Sequence, residues 1–156
     1  MNTPTKHKIN VELIWWLFTF LLTAIVLLPI LTNVPRYPFF FQNFILIASF
    51  VTFTRYIFLL PITLIARKKW IKVFIIAVSA ILFFIMTTAL SDFHNFLDEQ
   101  GLQTLVEHLN VKTQTRLMNY MKSEMIFFGV GAIISGLILP FRMLISLWRV
   151  RNRGTV

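Results

Sequence analysis

Arg55 is the residue whose type and setting come nearest to chemistry: a guanidinium placed near the middle of a long apolar run, 39–66. A charge at the centre of a membrane helix costs at least about 2.5 kcal/mol on insertion scales. Its presence therefore asks for a local reason. Gln42, Ser49, Tyr56 and Thr63 recur every seven residues, with Thr52 beside them, so a helix over this run carries a polar stripe that Arg55 flanks. Turned inward, that stripe lines a small hydrated cavity or binds an anionic group. Packed against neighbours, its hydroxyls are ordinary glue between helices, and Arg55 pairs with backbone carbonyls or reaches lipid phosphate. No acid stands at an equal depth in the sequence to neutralise it.

Arg142 is a second cation inside an apolar run, two residues after Pro140, with Glu124 towards the other end of the same run. Together they outline a charged path across a bilayer; alternatively Arg142 snorkels to the interface beside Arg149. The same run carries Gly129, Gly131, Ala132, Ser135 and Gly136. Gly131 with Ser135, and Ala132 with Gly136, follow the spacing that lets two helix backbones approach closely. The partner helix is either another span of this chain or another subunit.

Other chemistries find little support. His94 and Asp98 share a helical face and His108 follows, but structural and catalytic zinc sites carry three or four ligands in tighter motifs, so no metal site is expected. The chain has no cysteine, which excludes disulfides and thiolate chemistry. No carboxylate pair lies within a span, no glycine-rich phosphate loop follows a strand, and no Ser, His and Asp set stands in a recognisable context. Neither an enzyme nor a cofactor is expected.

The elements that must position these residues follow from composition. Hydrophobic residues make up 57% of the 156 and charged residues 13%, against roughly 25% charged in a soluble domain. Apolar runs at 11–32, 39–66, 70–91 and 123–148 each reach the roughly 20 residues that a membrane helix needs. The second exceeds that length, and Pro61 is its expected kink. The basic turn Arg67, Lys68 and Lys69 makes a tight hairpin of the second and third spans. The segment 92–122 is polar, with Leu102, Leu105, Val106 and Leu109 on one helical face, which predicts an amphipathic helix at the membrane surface. Leu117, Met118, Met121 and Met125 keep the helical spacing and lead into the last span.

Orientation follows from the charges beside the spans. Lys6, Lys8, Arg67, Lys68, Lys69, Lys72, Arg149, Arg151 and Arg153 stand on the side of the termini. Arg36, Lys112, Arg116 and Lys122 stand opposite, with five of the six acids. The positive-inside rule then places both termini in the cytoplasm and the amphipathic segment outside it. The net charge of +9 is accounted for by attraction to anionic headgroups at the cytoplasmic face, at roughly 1 kcal/mol per basic residue near the surface, without nucleic acid as a partner.

The expectation is thus an all-α, integral membrane bundle of four transmembrane helices and one extracytoplasmic amphipathic helix, forming a single domain in the inner membrane. Its function is expected to be association, as a homo-oligomer or as a subunit that holds another membrane protein. The rival is a small channel or transporter with an anion path along the Arg55 stripe.

Overall fold

The computed structural model describes residues 3–152, with side chains from His7 onward except Arg67. Arg153 and the side chains of Lys6 and Arg67, counted above in the basic flank, lie outside the described residues. The four apolar runs become four helices long and apolar enough to cross a membrane, and the fold is an all-α bundle.

Helix α1 covers Thr3–Asn33 and α2 covers Phe40–Leu59. Helix α2 stops well short of residue 66 because Pro61 has no N–H to give the Ile57 carbonyl one turn back. The expected kink is instead a break: two 3-10 turns, Leu60–Ile62 and Leu64–Arg67, carry the chain to α3, Lys69–Glu99. This places Arg55 in the last two turns of α2, close to the break.

The predicted surface helix over 92–122 is distributed over three elements. Helix α3 runs on to Glu99, where the N–H groups of Gln100 and Gly101 both return to the Phe96 carbonyl at 3.0 Å, Gly101 taking a φ of +74° that a side chain would resist. A single turn, α4, follows at Gln103–Val106. Asn110 then caps the next helix, its side-chain oxygen accepting the Thr113 N–H at 2.9 Å. Leu102 and Val106 are buried, so the apolar face read at this spacing packs on the protein. Helix α5, Val111–Asn152, continues unbroken through Pro140. Its 42 residues span roughly 63 Å at 1.5 Å each, twice a bilayer core of about 30 Å, so one end stands clear of the hydrocarbon.

Helices α2 and α5 form the central pair; α3 packs on α5 and α1 on α2. The core between them is lined by Leu46, Ile47, Met86, Met121, Met125, Leu139 and Met143, all fully buried. Methionine suits this position because its flexible chain fills the irregular gaps between crossing helices. The small residues of α5 provide the closest approach. A Cβ on Gly131 would lie 2.7 Å from the Phe50 ring, one on Gly129 2.8 Å from a Leu90 methyl, and one on Gly136 3.0 Å from the Met86 methyl. The partners of this face are therefore α2 and α3 of the same chain.

The three glycines differ in what blocks them. The Phe50 ring is itself held edge-on between Phe127 and Phe128, with centroids at 5.7 and 5.8 Å, whereas Leu90 can change rotamer. Gly131→Ala should destabilise the bundle by about 1–3 kcal/mol, while Gly129→Ala should fall within about 1 kcal/mol of the parent, its clash offset by better helix propensity. Unfolding in mild detergent, followed by helical circular dichroism, checks the order; equal effects would refute the packing argument.

Candidate functional site

At the end of the bundle where α1 begins and α5 ends, four charged side chains reach inward from four helices. Glu12, on α1, accepts a hydrogen bond from Arg55 Nη2 on α2 at 2.5 Å. Its second oxygen accepts the backbone N–H of Leu64, at 3.2 Å, from the second 3-10 turn. One carboxylate thus ties α1, α2 and the connection to α3. The guanidinium carbon also lies 5.5 Å from the Trp15 ring centroid and 5.2 Å from that of Tyr56, a cation–π arrangement that shields the pair from lipid. Arg55 is 5% exposed. The acid absent from the sequence reading at Arg55's depth is Glu12, brought alongside because α2 ends early.

Arg142 and Lys72 complete the set by capping carbonyls that the break exposes. Arg142 Nε donates to the Ile57 carbonyl at 2.9 Å, the group deprived of its helical partner by Pro61. Arg142 is therefore tied to the neighbouring helix as well as lying near the end of its own. Lys72, fully buried, donates from Nζ to the Ala66 carbonyl at 2.6 Å and to Ser146 Oγ at 2.8 Å. Beside these groups opens a polar cleft of about 250 Å³, lined by Lys8 of α1, by Leu60, Pro61 and Ala66 of the break, and by Arg142, Ser146, Arg149 and Val150 of α5.

The opposite end holds a second polar cluster. Asn43 Nδ2 donates to Glu124 Oε1, joining α2 to α5, and Tyr37 lies against both. All three residues are more than nine-tenths buried. Asn43 Oδ1, Glu124 Oε2 and the Tyr37 hydroxyl have no partner within the protein. Burial first, and the neighbouring Glu124 second, push the Tyr37 phenol above its usual range, so it remains a neutral O–H. His108 Nε2 meets the Asn33 carbonyl at 2.9 Å, fastening the loop before α5 to the end of α1. Tyr120 donates to the Val26 carbonyl at 2.8 Å.

The polar stripe of α2 does not converge on one cavity. Ser49, Tyr56 and Thr63 are buried, Thr63 bonding the Leu60 carbonyl at 2.8 Å, while Gln42 and Thr52 are partly exposed. Gln42 lines an outward groove between α2 and α3 with Thr88 and Asp92. Ala132 and Ser135 are buried with the glycines, and Ser135 returns its hydroxyl to the Ala132 carbonyl at 3.1 Å. Arg142 and Glu124 are each held by separate partners. His94 and Asp98 are 3.7 Å apart and exposed. Among the described residues no group of three or more His, Cys, Asp or Glu side chains could hold a metal. Sequence reasoning missed Glu12 and Asn43 and counted Lys72 only as a flanking charge. The available signal was that Glu12 is the lone acid in the first apolar run, as Arg55 is the lone base in the second.

The chain matches no protein-family model, no curated protein and no solved structure.

The two carboxylates respond differently to neutralisation. Glu12→Gln leaves the buried Arg55 charge without its counter-ion and should cost about 3 kcal/mol. Glu124→Gln keeps the acceptor for Asn43, brings donors to a cluster of unpartnered oxygens, and should change stability by no more than about 1 kcal/mol. Thermal unfolding of the purified variants in mild detergent measures both. In the double variant Glu12→Gln with Arg55→Gln the loss should be well below the sum of the single losses; additivity would show that the pair does not act as one.

Proposed function

We propose that this is a non-enzymatic, multi-pass membrane subunit that works by association, holding a second copy of itself or another membrane protein. The observation that carries the reading is the use of polar side chains across the spans. Arg55, Arg142, Lys72, Asn43 and Tyr120 each tie one helix to another element of the chain. A body braced in this way is a rigid platform, and its apolar outer faces are open to lipid or to a partner. Arg55 is neutralised by Glu12 and enclosed by aromatic rings, so the geometry gives no support to an anion path along its stripe.

We place the protein in the inner membrane with both termini in the cytoplasm. Support comes from the distribution of basic residues: Lys8, Lys68, Lys69, Lys72, Arg149 and Arg151 stand at the end where α1 begins and α5 ends, against Arg36, Lys112, Arg116 and Lys122 at the other. This is the asymmetry of the positive-inside rule.

Two measurements test these readings. The protein purified in mild detergent should have a mass, corrected for bound detergent, of a defined oligomer, or should carry a companion at fixed stoichiometry. A bare monomer from native membranes would overturn association. Because the chain has no cysteine, single cysteines report topology cleanly. In intact cells with a permeable outer envelope, an impermeant thiol reagent should label Gln103→Cys and leave Lys69→Cys unlabelled until the inner membrane is opened. The reverse pattern would invert the orientation.

A further inference from the structure

We propose that the cleft between α1, α5 and the 3-10 break binds a phosphate group, presented either by an anionic phospholipid or as free phosphate. Lys8, Arg142 and Arg149 line this cleft. Lys72 stands behind it, bonded to the two lining residues Ala66 and Ser146. Among the described residues no carboxylate lines the cleft. The nearest acid along α1, Glu12, one turn from Lys8, is already held by Arg55 and by the Leu64 N–H. Three cations, Lys8 of α1 with Arg142 and Arg149 of α5, thus line one small volume with no counter-ion among the described residues that line it, and like charges so placed repel unless an anion sits among them.

The donors suit phosphate. Arg142 uses Nε on Ile57, so the two terminal amino groups of its fork remain for an oxygen-rich anion. Ser146, which lines the cleft and whose oxygen accepts from the buried Lys72, has its own hydroxyl proton to give. A phosphate offers acceptor oxygens in several directions and takes charge-assisted bonds from such a set.

The level in the membrane is right for a headgroup. Trp70 and Trp148, at the same end of the bundle, are 87% and 65% exposed, and exposed tryptophans of this kind sit at the boundary between hydrocarbon and water. Leu60, Pro61 and Val150 add an apolar border to the cleft, against which a lipid's glycerol and first methylenes can lie. A volume of about 250 Å³ is that of a headgroup rather than of a larger cofactor. Both leaflets carry phosphate, so the inference is independent of orientation and of the association reading. It adds a discrete site to the general attraction of basic flanks for anionic membranes.

The test uses the full-length protein in nanodiscs of phosphatidylcholine, with and without phosphatidylglycerol, and reads lipid retained after extraction by native mass spectrometry together with the melting temperature. The parent should retain one phosphatidylglycerol per chain. Lys8→Gln with Arg149→Gln, which changes two cations of the cleft, should retain it roughly tenfold less well. Lys68→Gln with Lys69→Gln, which removes the same charge from exposed positions at the same end, should retain it as the parent does. In the phosphatidylcholine discs, inorganic phosphate is added as a separate arm. A rise in melting temperature that the cleft variant loses would assign the site to free phosphate, and phosphatidylglycerol retention without such a rise would assign it to lipid. Equal loss in the two double variants, or no effect of phosphatidylglycerol and none of inorganic phosphate, would overturn the proposal.

Discussion

A polar group at membrane depth has no water to turn to, and the fold is organised around that constraint. Its clearest expression is the pair Glu12 and Arg55. Alone, a carboxylate on α1 or a guanidinium on α2 is an expensive residue to place beside lipid; together they join two helices whose remaining contact is slight. The buried hydroxyls of α1 contribute little to that contact, because Thr19 and Thr23 return their protons to carbonyls one turn back in their own helix. Apolar side chains of α1 such as Leu27 and Ile30 are buried in the bundle, but helices packed only by such contacts gain little over lipid and can slide. An ion pair with a second bond, to the Leu64 N–H, sets one register.

Pro61 turns this local pair into an architecture. By withholding an N–H it ends α2, frees the Ile57 carbonyl and sends the chain into two tight turns whose own carbonyls and N–H groups then need partners. Each is met by a long charged side chain from a different helix: Arg142 at Ile57, Glu12 at Leu64, Lys72 at Ala66. Three cations and one acid are thereby drawn to a single level of the bundle. The charge surplus that results is a consequence of satisfying backbone, and it borders the cleft lined by Lys8, Arg142 and Arg149. The far end is braced by the Asn43 bond to Glu124 and by His108 and Tyr120 on carbonyls of α1, and leaves three oxygens without partners.

Much of this was legible beforehand. Four spans followed from run length and composition, and the continuity of Leu117 through Met125 with the last span followed from helical spacing. Their connections were harder to read. The run 39–66 looks like one long helix because hydropathy is blind to the difference between a proline that kinks a helix and one that ends it; what decides is whether the orphaned carbonyl finds a donor elsewhere, and Arg142 is 85 positions away. For the same reason Arg55 seemed unpaired: its acid lies 43 residues earlier, and only the early end of α2 brings the two level. The small-residue face on α5 was visible as a pattern, but a pattern of close approach does not name the partner. Segment 92–122 carried the right apolar residues in the wrong element, since Gly101 and Asn110 act as stop and start signals that divide one periodic stretch into three.

That last assignment bears on what association could use. Gly131 and Gly136 are occupied by Phe50, Phe53 and Met86 of the same chain, so another protein cannot approach the α5 backbone there without unmaking the bundle. The outer faces of α1 and α3 offer large apolar side chains such as Leu17, Ile25, Phe74 and Phe84, which gain little from meeting a partner in place of lipid tails. Discrimination between a partner and the bilayer therefore falls to polar points that interrupt those faces. The outward groove of Gln42, Thr88 and Asp92 is one such place, and the part of α5 that stands clear of the hydrocarbon, where water again makes apolar burial favourable, is the other.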